Sequence, residues 1–285
     1  MKKTYKWSAM ACVIGLFLLG ISLIIAGGKF SKYNSKNVLA LDKKQYVASS
    51  KIKEIEVFET SDNVEIVSGN VKAVTVDYYE SSEKTFTIEE KGNTLVVKRD
   101  EKNETFSFGI DLNDYKVTVT LPKDFNGDVN IQSTSGSINV SDVNIQNLTA
   151  CHTSGSTNFT NINVDDEIYT SSTSGSIKYD NVTAGTISIQ STSGSIGLDN
   201  IETESEVNLL ATSGSIRFDN LKLSGDLSVI TTSGSIHGTI NAKESDFTIS
   251  ASTTSGSSNL TSSSGGKQNL TAMATSGSIN ISFKK

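Results

Sequence analysis

The tetrapeptide Thr-Ser-Gly-Ser occurs eight times, with its glycine at Gly136, Gly155, Gly175, Gly194, Gly214, Gly234, Gly256 and Gly277. Successive glycines stand 19 to 22 residues apart, and a fixed period of this length is the mark of a repeat architecture. In register, Ile138, Ile177, Ile196, Ile216, Ile236 and Ile279 fall two residues after their glycine, with Thr157 and Ser258 in the remaining copies. Val140, Phe159, Tyr179, Leu198, Phe218, Leu260 and Ile281 fall four after, with Gly238 as the exception. Apolar residues also recur seven and five before the glycine, from Val129 and Ile131 to Leu270 and Ala272. This alternation on both sides of the motif predicts two short strands meeting at a glycine corner. Asp180-Asn181, Asp199-Asn200 and Asp219-Asn220, five and six residues on, supply the turn chemistry of a second corner. Val143, Ile162, Val182, Ile201 and Leu221 then return to the core side.

A unit of about 20 residues cannot bury its own inner face, so neighbouring units must stack and share one core. The expected fold is therefore all-β: a single-stranded parallel β-solenoid of eight ~20-residue coils over 127–285, with layers about 4.7–4.9 Å apart. Right-handed coiling follows from the general crossover rule. The corner glycines are expected to supply positive φ, and the closing Lys284 and Lys285 to blunt the far edge.

Upstream, 46–126 carries alternating runs such as Ile52–Phe58, Val64–Val67 and Val71–Tyr79, closed by Tyr115–Leu121 and the chain's single proline, Pro122. Lys91-Gly92-Asn93-Thr94 reads as a hairpin turn between two of them. This β-rich segment is placed to cap the N-terminal end of the solenoid, where an open end would be an unpaired sheet edge. Residues 29–45, rich in Lys, Ser and Asn, read as a polar tether. Residues 1–28 begin with Lys2, Lys3 and Lys6 and continue as an uncharged apolar run from Trp7 to Gly28. A cleaved signal peptide ending at Ala26-Gly27-Gly28 and an uncleaved signal anchor compete; the length of the run favours a transmembrane helix. Lysines flank both sides, so charge counting leaves the orientation open. The short basic end before an apolar run is an export signal, which places the body outside the cell.

The formal net charge is −6, which argues against a nucleic-acid partner. From residue 127 onward there are 14 acidic and 7 basic residues, so the acidity belongs to the repeats. Glu202, Glu204, Glu206 and Asp226 fall on the third side of the coil, and Glu206 and Asp226 occupy the same place in adjacent copies. Like charges stacked this way invite a cation or a basic partner, although a solvated face is the commoner use of such residues. Leu210 and Ile230 stand four residues before their glycines, on a column that points outward and also carries Cys151 and Met273; they form a small candidate contact for a partner. Histidine is confined to His152 and His237, four coils apart, so no Ser-His constellation is expected. No catalytic, cofactor-binding or metal-ligating set is assigned, and the Gly-Gly-x-Gly-x-Asp calcium repeat is missing.

The repeated Thr-Ser-Gly-Ser-Ile, the strand-rich segment ending in Val117-Thr118-Val119-Thr120-Leu121-Pro122 and the apolar N-terminus together resemble the bacterial "putative adhesin" family of unknown function, which includes LiaG-like membrane-anchored envelope proteins and is frequent in Gram-positive bacteria. The resemblance spans about residues 46–285. It implies a surface-exposed β-solenoid and supplies no catalytic residues. Some members are similar to proteins encoded beside envelope-stress regulators. Three functions follow as expectations. The first is a membrane-anchored, extracytoplasmic, non-catalytic binding or scaffolding protein of the cell envelope, whose partner is an envelope protein, a wall polymer or a cationic peptide. The second is an accessory of an envelope-stress response acting through a membrane partner. The third is a polysaccharide-processing enzyme, by analogy with other β-helices.

Overall fold

The computed structural model describes residues 41–81, 84–101 and 115–284. The expected membrane anchor and most of the tether lie outside the described residues. Among those described, no helix is long and apolar enough to cross a membrane.

Among the described residues the fold is all-β, with the strands hydrogen-bonded into one 21-stranded mixed sheet. From Asp128 to Ile240 every ladder between repeats is parallel and advances by one repeat. Leu148 pairs with Ile168, Ile168 with Ile187, Ile187 with Val207, and Val207 with Leu227. Beyond the glycine corner, Ile138 pairs with Thr157, Thr157 with Ile177, Ile177 with Ile196, Ile196 with Ile216, and Ile216 with Ile236. The inward columns are those marked by the alternation. Val129, Leu148, Ile168, Ile187, Val207 and Leu227 are buried on one side of the corner, and Ile138, Ile177, Ile196, Ile216 and Ile236 on the other. They belong to one continuous apolar core that runs from Ala48 to Ile281. Where the core is wide, Phe159 stacks on Tyr179 at 4.7 Å between ring centroids, and the buried Tyr179 hydroxyl finds Thr170 Oγ1 at 2.6 Å.

The two corners are built differently. At the first, five of the eight motif glycines take positive φ: Gly155, Gly175, Gly234, Gly256 and Gly277. Positive φ is therefore only part of the reason for glycine. A Cβ on Gly155, Gly175, Gly194, Gly214, Gly234, Gly256 or Gly277 would land on the carbonyl oxygen of the glycine in a neighbouring layer. Close backbone stacking is what the whole column has in common. At the second corner Asp142, Asn161, Asn181, Asn200 and Asn220 all adopt left-handed backbone, with φ between 52° and 56°. Short polar side chains tolerate that region. Their amides also bond from layer to layer, Asn181 Nδ2 to Asn161 Oδ1 at 3.1 Å and Asn220 Nδ2 to Asn200 Oδ1 at 2.9 Å.

The stack departs from eight coils in sequence order at both ends. In the N-terminal part, Glu54–Glu59 and Asn63–Gly69 lie parallel to Asp128–Ser133 and Ile138–Ser141. Thr94–Glu101 and Lys116–Pro122 lie parallel on their other side. A later segment is thus outermost. Its exposed edges are met by antiparallel strands: Lys84–Lys91 on Thr94–Glu101, Thr75–Glu80 on Lys116–Pro122, and Asp42–Val47 on Thr75–Glu80.

At the C-terminal end, Gln268–Ser276 pairs with Leu227–Ser233 on one side and with Phe247–Ser255 on the other. Ile279–Phe283 pairs with Ile236–Ile240 and bridges to Ser258. The last strands of the chain are therefore inserted between two earlier layers. The inner side chains explain the order. Leu270, Ala272, Ala274, Ile279 and Ile281 are all buried and apolar, so this layer can be covered on both faces. The 247–260 layer carries Ser258 at an inward position, where its Oγ accepts from the Leu260 N–H at 3.1 Å. A hydroxyl there is tolerable only in an end layer. Lys284 does not guard the edge as expected: its N–H donates to the Ile240 carbonyl at 2.9 Å and its ammonium reaches Asp219 at 3.2 Å, while Lys285 lies outside the described residues.

Candidate functional site

The outward columns of the repeats are the surfaces a partner would meet. In the column four residues before each glycine, Leu210 pairs with Ile230 and Ile230 with Met273. Leu210 is 45% and Met273 38% exposed, with Ile230 between them. Leu210 and Ile230 were the expected neighbours. Met273, two repeats further along the chain, joins them because its layer is inserted. Cys151 shares this column, but the expectation that it is exposed is corrected: it is 1% exposed.

On the acidic third side, Asp226 and Glu202 each have a partner. The register that pairs Val207 with Leu227 sets Glu206 beside Asp226. Asp226 accepts from the Asn269 backbone N–H at 2.8 Å and from its side-chain amide at 3.0 Å, and these bonds hold its carboxyl below the usual range. Where a cation was expected, a neighbouring amide takes the place. Glu202 pairs with Lys222 at 2.5 Å. The Glu206 charge is felt at Glu167, whose carboxyl is raised first by burial and then by that charge. Glu204 is exposed at the turn. Among the described residues no group of three or more His, Cys, Asp or Glu could hold a metal ion.

His152 points into the core between Ser133 and Ser172 of the adjoining layers. Its Nδ1 lies 3.4 Å from Ser172 Oγ, and burial pushes the imidazole down to about 4. Ser172 is 3% exposed, so this pair is shut away from any substrate. His237 lies on the outside, beside Arg217 and Asn280. The two imidazoles do not meet.

A concavity of about 530 Å³ opens at the N-terminal layers, lined by Phe58, Lys98, Gln132, Thr134 and Cys151 among others. A charge network lies beside it. Glu59 Oε1 accepts from Arg99 Nη1 at 3.1 Å and from the Ser61 and Asp62 backbone N–H groups at 3.1 and 3.0 Å. Lys84 pairs with Asp62, and Arg99 with Ser61. Burial, then the Glu59 charge, raises the Asp62 carboxyl, against the opposing pull of Lys84 and Arg99.

This network sits on a copy of the motif that the tetrapeptide pattern misses. Val64 pairs with Ile138 and Glu59 with Ser133, which sets Thr60-Ser61-Asp62-Asn63 in register with Thr134-Ser135-Gly136-Ser137. The available signal was the apolar set around Asp62: Ile55 and Val57 before it, Val64 and Ile66 after it, at the same spacings as around each glycine.

The profile of the toastrack family, DUF4097, matches residues 52–285. The chain belongs to that family. The span includes the Asp62 copy as well as the eight glycine copies, so the family unit covers the N-terminal parallel layers too. No curated protein matches this toastrack chain. Among solved structures, a "putative adhesin" from Bacteroides fragilis NCTC 9343 is similar, with a TM-score of 0.52 at 14% identity over 90% of this chain and 100% of that one. A "putative adhesin" from Parabacteroides distasonis ATCC 8503 gives a TM-score of 0.40 at 13% identity over 87% of this chain and 98% of that one. The Bacteroides likeness is one of fold.

Proposed function

We propose that this toastrack chain is a right-handed β-solenoid that serves as a non-catalytic binding scaffold of the bacterial cell envelope. Residues 1–28 anchor it in the membrane and the body faces outward. The observation that carries the reading is the outward apolar column of exposed Leu210, half-buried Ile230 and exposed Met273 on three adjacent layers. A rigid parallel stack presents such a column without the entropy cost of ordering a loop. Apolar side chains aligned on a flat sheet face are an interaction surface in search of a partner. Glu204 and Glu206 on the adjoining side favour a partner that brings positive charge, such as an envelope protein or a cationic peptide with one apolar face.

The test is photo-cross-linking of the full-length protein in intact cells, with the cross-linker at Ser228 beside the column. The wild type is expected to capture one specific envelope partner, and the Leu210→Ser, Ile230→Ser, Met273→Ser triple variant to lose it while keeping its thermal transition. Equal capture by both would remove the column from the reading. Protease added to unbroken cells checks the orientation: release of the body places it outside. A role as an accessory of an envelope-stress response rests on the family resemblance alone and would be recognised by the identity of the captured partner.

A further inference from the structure

The inserted layer is hydrogen-bonded along both edges, yet in sequence it follows the 247–260 layer that it separates from 227–240. Gln268–Ser276 makes parallel ladders to Leu227–Ser233 and to Phe247–Ser255, and Ile279–Phe283 lies against Ile236–Ile240. The linker before it, 256–267, consists of Ser, Gly, Asn, Thr, Leu and one Lys, with Gly265 and Gly266 near its end. Part of this linker folds back along the outer strand, with Ile249 and Ser263 exchanging backbone hydrogen bonds at 3.1 and 3.0 Å.

Two properties set this segment apart. Its place is specific, since it demands apolar residues at the Leu270, Ala272, Ile279 and Ile281 positions, and the other C-terminal layer brings Ser258 instead. Its departure leaves an alternative packing: 247–260 carries the same motif around Gly256 and would stack on 227–240 in sequence order, as the preceding repeats do. The end of the stack is thus a two-state element whose states differ in which layer is inside.

We propose that the segment 268–283 is exchangeable between copies of this chain, the strands of one molecule entering the slot between the 227–240 and 247–260 layers of another. The occupant is identified by register and composition: a second copy supplies the same ladder partners, the same buried side chains and the same glycine, Gly277, whose Cβ position is filled by the Gly234 carbonyl. Exchange of an identical element is a low-cost route to association, and strand donation into a sheet uses main-chain bonds already present in the monomer. Reciprocal exchange gives dimers, and one-way exchange gives open chains.

The experiment uses full-length protein with Cys12→Ser and Cys151→Ser. One copy carries Ser228→Cys and the other Thr271→Cys, positions that are direct partners across the ladder at a spacing a disulfide can span. The two are co-expressed and oxidised in the membrane. Exchange predicts disulfide-linked dimers of the two different copies, several-fold above those formed by either copy alone. A chain carrying both cysteines is the reference and bridges within the monomer when its own segment is seated. Complete bridging in that chain, with no mixed dimers above the single-copy background, would overturn the proposal. Should the first pair disturb folding, Ile230→Cys and Met273→Cys repeat the measurement on exposed partners of the same two strands, and the same criterion decides.

Discussion

At the N-terminal end of the stack the outermost parallel layer is covered by antiparallel strands and pinned by ion pairs, whereas at the C-terminal end the cover is a back-folded loop held by uncharged groups. The first end uses Glu59, Asp62, Lys84 and Arg99 around one corner, and Glu90 to tie down the entry strand. At the second, Asn259 bonds the edge of the inserted strand, donating to the Ile281 carbonyl at 2.8 Å and accepting its N–H at 3.0 Å, while Leu260 closes the core. Both ends solve the same problem, an unpaired sheet edge. In both, the chain places a later segment out of order. The difference lies in the cover: antiparallel strands close the N-terminal end, and a parallel layer that precedes the inserted one in sequence closes the other.

The comparison breaks first at Ile279. Ile279→Ser removes a buried side chain and sets a hydroxyl inside an interior layer, so about 4 kcal/mol should be lost in chemical denaturation. The inverse change Ser258→Ile should be nearly neutral or mildly stabilising, because that layer is the outer one. Equal costs at the two sites would mean that side-chain pattern does not set the layer order.

Next comes acid. His152 is the one histidine in the core, and its folded value of about 4 lies below the ordinary 6.5. Between those values the unfolded chain binds the proton and the folded chain does not, so stability falls as pH drops from 6.5 towards 4. The loss at the lower limit approaches about 3 kcal/mol. His152→Ser, which restores the residue type of Ser133 and Ser172 above and below, should flatten the denaturation midpoint across that window. A wild-type midpoint already flat between pH 6.5 and 4 would refute the assignment.

Gly214→Ala tests the corner in the middle of the stack. Its methyl would meet the Gly194 carbonyl, and overpacking of this kind costs about 2–3 kcal/mol. Gly92→Ala, in the N-terminal hairpin with open space around the Cβ position and φ of 65°, should cost only the left-handed penalty of about 1 kcal/mol. A thermal-shift comparison of the two separates close stacking from backbone conformation as the reason for glycine.

The repeats were legible because the same few positions recur: each inward column reported by the alternation around Gly136 to Gly277 is an inward column in the fold. The ends were not, because they depend on comparisons between copies. Ser258 looks like a harmless lapse in one repeat until the cost of a hydroxyl is weighed against Ile279, and only then does the inserted order follow. The copy at Asp62 is hidden because it lacks the motif glycine, which is needed where a neighbouring layer's carbonyl crowds the corner. On the acidic side the need of Asp226 is met by an amide and not by a cation. Asn269, which satisfies Asp226, lies two repeats away in sequence and one layer away in space.

The smallest effect sharpens the comparison at the N-terminal end. Glu90 gathers the Tyr46 hydroxyl at 2.7 Å, the Ser49 backbone N–H at 2.7 Å and the Ser50 N–H at 2.9 Å, together with both serine hydroxyls. With so many donors, the Ser50 hydroxyl foremost, the carboxyl is held at about 2, below its ordinary 4.5. A carboxylate lowered on folding stabilises above 4.5, and that contribution is lost as pH falls towards 2. The site is at the surface, so global stability should barely move. The change belongs to the entry strand Asp42–Val47, whose backbone bonds to Thr75–Glu80 should lose protection against exchange, measured relative to the intrinsic rate at each pH, as the pH falls below 4.5. Glu90→Gln should produce that loss of protection at neutral pH and leave the 268–283 layer unaffected. Acceleration at both ends together would show that the two covers are coupled through the stack, and the contrast between them would then be one of composition only.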